Sequence, residues 1–373
     1  MRSSEEKLRF GVVGGGWIND VHLRALALVR DVEVAAIADY RRDRGGRPGR
    51  AKALGEKYRI AAHFDDHRRL LEDPAIDVVL IGLPNCLHAE VVLAALDAGK
   101  HVVIEKPMCL SLDDADRIVA GATAKGLRVG YAEELCFCPK LVRTKELVSK
   151  GAVGRPFLVK QLEAHAGPYS DWFFTPELAG GGALLDMGCH SIELARWMFD
   201  KPRIKAVTAR LATFVHVDRP GPLEDHVVVQ LDFEGGRSAI VEAGWCLEGG
   251  MESVARVQGT EGVLDVDLLR GNGLKLFTRS GVLGEDLPPG WHVPDFDWLV
   301  SNGYPAEMSE FASAIREGRA PSESAEDGRV VLEVCWAAYV SAAEGRTVSL
   351  PFTPDPRWRF PAEPWLAASR GVS

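Results

Sequence analysis

The first third of the chain alternates between two hydrophobic rhythms. Leu8–Val13 is a short apolar run ending in glycines, and Ile18, Val21, Leu26 and Val29 follow at the spacing of one helix face. Val32–Ala38 returns to a β-rich run. A short strand at Ala61–Phe64 precedes a helical Asp66–Leu71. Asp77–Leu83 reads as a continuous apolar run, the pattern of a strand buried on both faces. A helix at Ala89–Asp97, a strand at His101–Glu105, a helix at Leu112–Lys125 and a strand at Leu127–Tyr131 complete the series. Repeated strand–helix alternation predicts an α/β domain over residues 1–133, a Rossmann-like doubly wound parallel sheet.

The rhythm changes near Glu133. Pro139–Lys150 reads as an amphipathic helix stopped by Gly151. Strands then dominate, at Pro156–Ala164, Ile204–Val215, Asp225–Phe233, Arg237–Trp245 and Ser253–Val266, with a turn signal at Glu234-Gly235-Gly236. One helix, Ala183–Phe199, interrupts them, and two more close the chain at Pro305–Glu317 and Ala325–Ala343. The pattern predicts an α+β second domain over residues 134–373, an open, largely antiparallel sheet with few helices. The tail from Pro351, rich in Pro and Trp, is expected to pack along a surface or a neighbouring subunit.

Composition narrows the classes of function. The 373 residues suffice for two cores, and 46% hydrophobic with 26% charged residues is an ordinary globular balance. With 53 acidic against 44 basic residues the net charge is −9, which argues against a nucleic-acid partner. The basic run Arg41–Arg50 is a local exception that reads as a solvated loop. Met1–Arg9 has no signal-like apolar stretch, and the longest apolar runs are strand-length, too short to span a bilayer. Seven irregularly spaced cysteines, without paired CxxC motifs, argue against a zinc site and for free thiols in a reducing cytoplasm. No metal is expected.

The chemistry begins at the end of the first strand. Gly14 permits a tight turn, and Gly16 lets the backbone approach a pyrophosphate at the N-terminus of the following helix. Asn19 replaces the third glycine of GxGxxG. Asp39 ends the second strand, 25 positions after Gly14, where a carboxylate can accept hydrogen bonds from ribose hydroxyls. That favours NAD, with NADP as the alternative through Arg41 and Arg42. Trp17, Ile18 and Tyr40 flank these positions and join the expected cofactor-binding set. Glycine clusters also make plain turns, so the strand–turn–helix context carries the reading.

Two further motifs bear on catalysis. Glu105-Lys106-Pro107 closes the fifth strand, whose C-terminal end should face a ligand crevice; an exposed surface lysine is the plainer alternative. In Gly180-Gly181-Gly182-Ala183-Leu184-Leu185-Asp186-Met187-Gly188-Cys189-His190, Asp186 and His190 stand at i and i+4 on one helix face. A histidine beside a carboxylate can take a proton from an alcohol as hydride leaves the carbon. A surface Asp–His pair is the alternative, and a zinc site a second one, though no other ligand cluster accompanies the pair. The stretch Glu163–Phe174 places His165, Tyr169 and Trp172 just upstream, residues suited to the apolar faces and hydroxyl edge of a sugar, or equally to packing. Lys160 is a further substrate-binding candidate from the preceding strand.

These motifs together resemble the glucose-fructose oxidoreductase, inositol dehydrogenase and MocA-like family, Gfo/Idh/MocA, over nearly the whole length. The resemblance rests on the glycine turn with His22 after it, Pro84-Asn85 followed by His88, Glu105-Lys106-Pro107, and Asp186-x-Gly188-x-His190. Glu307–Leu350 is similar to that family's closing helices. It implies an NAD(P)-dependent dehydrogenase or reductase acting on a secondary alcohol of a cyclic polyol or sugar. Lys106 would orient the substrate hydroxyl against the nicotinamide, His190 would serve as base in oxidation and acid in reduction, and Asp186 would contact substrate and orient His190. Pro84, Asn85, His88 and Glu105 would line the cofactor groove. The resemblance also implies a homodimer or homotetramer. Asn19 and Glu134 depart from it, standing where a small residue and an asparagine are usual. A non-catalytic dinucleotide-binding regulator and an NAD-dependent glycoside hydrolase remain the competing readings.

Overall fold

A computed structural model describes residues 6–40, 49–219, 221–269, 274–282, 284, 287–292 and 303–370. Arg41 and Arg42, and most of the basic loop expected around them, lie outside the described residues. The chain forms two compact units, Met1–Glu134 with Tyr304–Val330, and Leu135–Gly303 with Val331–Ser373. The sequence pattern placed 134–373 together, whereas Tyr304–Val330 belongs to the first unit. Helical periodicity shows that an apolar face exists; it does not say which core will cover it.

In the first unit, strands β1 (Leu8–Val13), β2 (Val32–Ala38), β3 (Ala62–Phe64), β4 (Val78–Ile81), β5 (His101–Glu105) and β6 (Val129–Ala132) form one sheet in the order β3-β2-β1-β4-β5-β6. Every pairing is parallel. All four β4 residues are buried, as the uninterrupted apolar run requires. The order reverses between β1 and β4, and the carboxyl ends of strands at such a switch point are where open α/β sheets bind ligands. The helices are α1 (Trp17–Leu26), α2 (Ala51–Tyr58), α3 (His67–Leu71), α4 (His88–Asp97) and α5 (Leu112–Lys125). α5 is specified at both ends. The Ser111 hydroxyl accepts the Asp114 N–H at 3.2 Å, Asp113 and Asp114 occupy the first turn, and Gly126 closes the helix at φ 65°. α2 escaped the sequence pattern because only Ala51, Leu54 and Gly55 of its eight residues are buried.

In the second unit, α6 (Pro139–Ser149) leads into β7 (Pro156–His165) and the short α7 (Pro176–Ala179). A π-helical turn, Leu184–Gly188, runs directly into α8 (Cys189–Met198). Then come β8 (Ile204–Ala212), β9 (His226–Phe233), β10 (Ser238–Gly244), β11 (Met251–Gly259), β12 (Gly262–Asp267), β13 (Leu274–Thr278) and β14 (Gly290–His292). α9 (Tyr304–Glu317) belongs to the first unit and packs along α1. α10 (Ala325–Glu344), β15 (Val348–Ser349) and α11 (Glu363–Arg370) end the chain. Among the described residues, nine strands are ordered β14-β13-β12-β11-β7-β10-β9-β8-β15, and only β7 and β10 pair in parallel.

Strand alternation sorts this sheet. Val227, Val229, Leu231, Ala239, Val241 and Ala243 are buried on the face that receives α8, while Val228 and Ile240 are exposed on the other. Ser253–Val266, read as one strand, is the hairpin of β11 and β12, turned at Thr260-Glu261. The tail packs on its own unit: Ala362 N–H donates to the Gly180 carbonyl at 2.9 Å, and Phe360 is buried. Among the described residues, no helix is long and apolar enough to cross a membrane.

Candidate active site

The glycine turn stands at the carboxyl end of β1. Gly14 has φ 111°, and a Cβ there would lie 2.1 Å from the Gly82 carbonyl oxygen, at the end of β4. Asn19, the departure from the usual glycine pattern, is fully buried. Its amide donates to the carbonyls of Val13 and Gly14 at 2.9 Å and of Gly82 at 3.2 Å. It therefore ties the turn to the neighbouring strand end. Gly16 is the opposite case, since a Cβ there would meet nothing within 4 Å. It precedes α1, whose first N–H groups have no side-chain cap. Trp17 is 70% exposed beside this opening, and Ile18 follows it in the first helical turn.

Asp39 follows β2 and approaches Gly15, where a Cβ would lie 2.4 Å from its Oδ2. Its carboxylate accepts the N–H of Tyr40 at 3.1 Å and of Arg50 at 2.6 Å. Tyr40 turns its hydroxyl to His67 Nδ1 at 3.3 Å. An open, uncapped helix N-terminus, a glycine that leaves room above it and a carboxylate at the second strand end fit a dinucleotide.

The ends of β4 and β5 hold the other expected residues of this unit. Pro84 starts a 3-10 turn that contains the buried Asn85. His88 is fully buried, with Nδ1 2.8 Å from the Pro107 carbonyl and Nε2 2.8 Å from the Leu83 carbonyl. Both ring nitrogens face backbone carbonyls, and the neutral imidazole donates to one of them, so His88 packs between the two strand ends. Burial, the largest influence, pushes its imidazole below the usual range, against the raising effect of the two carbonyls. Glu105 Oε1 lies 2.7 Å from Nε2 of the buried His22, and its Oε2 accepts the Lys106 N–H at 3.1 Å. Lys106 is half-buried at the end of β5. Glu134 accepts from the Tyr304 hydroxyl at 3.3 Å.

In the second unit, Asp186 lies within the π-helical turn, not in the regular helix the spacing suggested. His190 is buried in the first turn of α8. Asp186 Oδ2 accepts the indole N–H of Trp245 at 2.9 Å. His165 Nε2 lies 3.7 Å from the same oxygen. His165 Nδ1 accepts the Gly167 N–H at 3.0 Å, which leaves the ring proton on Nε2, toward Asp186. Trp245 is fully buried and was absent from the sequence-derived candidates, because no motif surrounds it.

Aromatic rings extend from this point. Phe173 meets Trp245 edge-on at 6.0 Å and stacks on Trp172 at 3.8 Å, while Tyr169, 90% exposed, stacks on His165 at 5.8 Å. The fold thus brings His165, Trp172 and Asp186 into one neighbourhood. It does not bring Lys160 there. Lys160 is exposed, opposite in pleat to the buried Gln161 and Glu163 on β7, and pairs in register with Ile240 and Arg256. One position of strand alternation sends it to the other sheet face.

Residues 8–133 match the family described as "Oxidoreductase family, NAD-binding Rossmann fold", and residues 141–265 match "GFO/IDH/MocA C-terminal domain". The solved structure of GenD2 from gentamicin A biosynthesis, in complex with NAD, is 31% identical with a TM-score of 0.80, covering 94% of this chain and 98% of that one. The chain belongs to the Gfo/Idh/MocA family of oxidoreductases. Within that family it is similar to the myo-inositol 2-dehydrogenase of Thermotoga maritima, 28% identical over 92% of this chain and 98% of the relative. A levoglucosan dehydrogenase solved with NADH and L-sorbose superposes with a TM-score of 0.82 at 25% identity, covering 93% of this chain and all (100%) of the other.

Proposed function

We propose that this Gfo/Idh/MocA oxidoreductase interconverts a secondary alcohol and ketone on a cyclic polyol or sugar, with NAD as its cofactor. The observation that carries the reading is Asp186, held by the Trp245 N–H at 2.9 Å, next to an aromatic cluster and one helical turn before His190. Rings of this kind cover the apolar faces of a sugar, and the carboxylate and imidazoles meet its hydroxyl edge. The relatives named for inositol and levoglucosan act on that substrate class. Asp39 supports NAD over NADP, because a carboxylate accepts from ribose hydroxyls and repels a 2′-phosphate.

Bound NAD supplies the hydride acceptor in oxidation and the donor in reduction. His190 takes the proton of the alcohol in oxidation and returns it in reduction. Lys106 donates to the alcohol oxygen and stabilises the negative charge that grows there. Asp186 binds substrate and holds the polar edge of the site in place. In the same reading the protein works in the cytoplasm as a homo-oligomer, with a second copy over the sheet face where Val228 and Ile240 are exposed. Light scattering that returned a monomer at working concentration would remove that part.

The test is a panel of polyols, aldoses and keto-sugars with NAD and NADP in both directions, run on the native chain, Lys106→Ala and His190→Ala. Loss of one positioned donor typically costs about 10²–10³-fold. Each variant is expected to lose turnover on that order while cofactor binding persists. Undiminished turnover in either variant refutes the assignment. Sugar release without net cofactor reduction would favour the hydrolase reading, and cofactor binding with no absorbance change on any substrate would favour the regulator.

A further inference from the structure

The turn that carries Asp186 is fastened at its start by a side chain from a distant part of the second unit. Glu224, two residues before β9, is fully buried. Its Oε1 accepts the N–H of Gly182 at 2.9 Å, the N–H of Leu184 at 3.1 Å and the hydroxyl of Tyr339 at 2.5 Å. Its backbone carbonyl accepts the N–H of Ala183 at 2.9 Å. Three consecutive N–H groups at a helical entry, groups that have no partner within a helix, therefore end on Glu224, and the Tyr339 hydroxyl shares that of Gly182 at 3.1 Å. The glycines here follow from that packing. A Cβ on Gly181 would lie 2.0 Å from the Tyr339 hydroxyl, and one on Gly182 would lie 2.1 Å from the Glu224 carbonyl oxygen. The Gly182 carbonyl in turn accepts the Asp186 N–H at 3.1 Å. Two hydrogen bonds thus connect the Glu224 carboxylate to the backbone of Asp186.

We propose that Glu224, backed by Tyr339, is a positioning residue for the acid–base pair: it sets the entry of the Leu184–Gly188 turn and with it the placement of Asp186 and His190. The inference rests on the roles given to Asp186 and His190 above. Burial raises the Glu224 carboxyl to about 7, against the lowering effect of the Tyr339 hydroxyl and the backbone N–H groups. The anion is the better acceptor for three converging donors. A proton on Oε2 would sit on a buried atom with no partner among the described residues. The hydrogen bonds to the turn are therefore strongest when Glu224 is ionised, while the burial of that charge itself costs folding free energy. The titratable groups that face it are the Tyr339 hydroxyl and the Cys335 thiol, both on α10, and burial pushes each of them upward, away from neutrality.

Steady-state kinetics of Glu224→Ala, Glu224→Gln and Tyr339→Phe, with His190→Asn as control, test this. Misplacing a catalytic group by about 1 Å can cost on the order of 10²-fold, so Glu224→Ala is expected to lose kcat on that order with NAD affinity unchanged. Glu224→Gln keeps the Oε1 acceptor and cannot ionise. Neutral like the protonated carboxyl, it is expected to hold the lower kcat that the native enzyme shows on its acid side and to lose the acid limb of the kcat–pH profile that Glu224 sets. If Glu224→Ala does not fold, the other two variants decide. An unchanged acid limb in Glu224→Gln, together with wild-type kcat in Tyr339→Phe, overturns the proposal. Full turnover in His190→Asn would instead overturn the acid–base reading on which it rests.

Discussion

The same substitution should have opposite consequences at two glycines of the turn after β1. At Gly14 the backbone has φ 111°, and an alanine Cβ would lie 2.1 Å from the Gly82 carbonyl oxygen. A backbone held in a sparsely populated region costs about 1–3 kcal/mol, and the displaced carbonyl adds to it. Gly14→Ala is therefore expected to destabilise the cofactor-free protein by about 3 kcal/mol or more. At Gly16 the backbone is extended, φ −71° and ψ 173°, and a Cβ meets nothing within 4 Å. There alanine gains about 0.4–1 kcal/mol from a less flexible unfolded chain, offset by its weaker helix-capping preference. The net change in stability should stay within about 0.5 kcal/mol. Cofactor affinity should move instead, because the added methyl occupies the approach to the first N–H groups of α1. Losing one hydrogen bond to a charged group costs about 1.5–3 kcal/mol, which raises Kd by roughly ten- to a hundredfold. Urea unfolding without cofactor and calorimetric titration with NAD separate the two effects. Wild-type NAD affinity in Gly16→Ala would refute the placement of the pyrophosphate, and wild-type stability in Gly14→Ala would refute the account of the turn.

Glu224 also makes stability depend on pH. Its folded-state value is raised from 4.5 to about 7, so the folded chain keeps a proton that the unfolded chain has released. The stabilisation is complete below pH 4.5, is lost as pH rises to about 7, and amounts to about 3 kcal/mol. Denaturant unfolding of the native chain and Glu224→Gln between about pH 4 and 8 reads the difference, and parallel profiles would contradict it. At the site itself, Trp245→Phe removes the N–H that Asp186 accepts at 2.9 Å while keeping a ring against Phe173 and Phe174. A fall in kcat of roughly ten- to a hundredfold is expected with NAD affinity unchanged, and a wild-type kcat would deny Trp245 its role.

Much of the first unit was legible from the chain alone. Strands buried on both faces read as unbroken apolar runs, and β5 and α5 fall within the bounds their patterns predicted. The glycine turn, Glu105-Lys106 and the Asp186–His190 spacing were legible for the same reason, since each signal lies within a few residues. Other features depend on residues far apart in sequence. The indole that holds Asp186 lies 59 positions away, and the hydroxyl on Glu224 lies 115 positions away. Lys160 and His165 share one strand, yet strand parity sends them to opposite faces. Tyr304–Val330 carries an ordinary helical pattern, and only packing assigns it to the first unit. Local periodicity and turn chemistry act over a few residues, so the sequence determined the elements and the candidate side chains. Register and topology act over the whole chain, so only the tertiary structure decided which of those side chains meet.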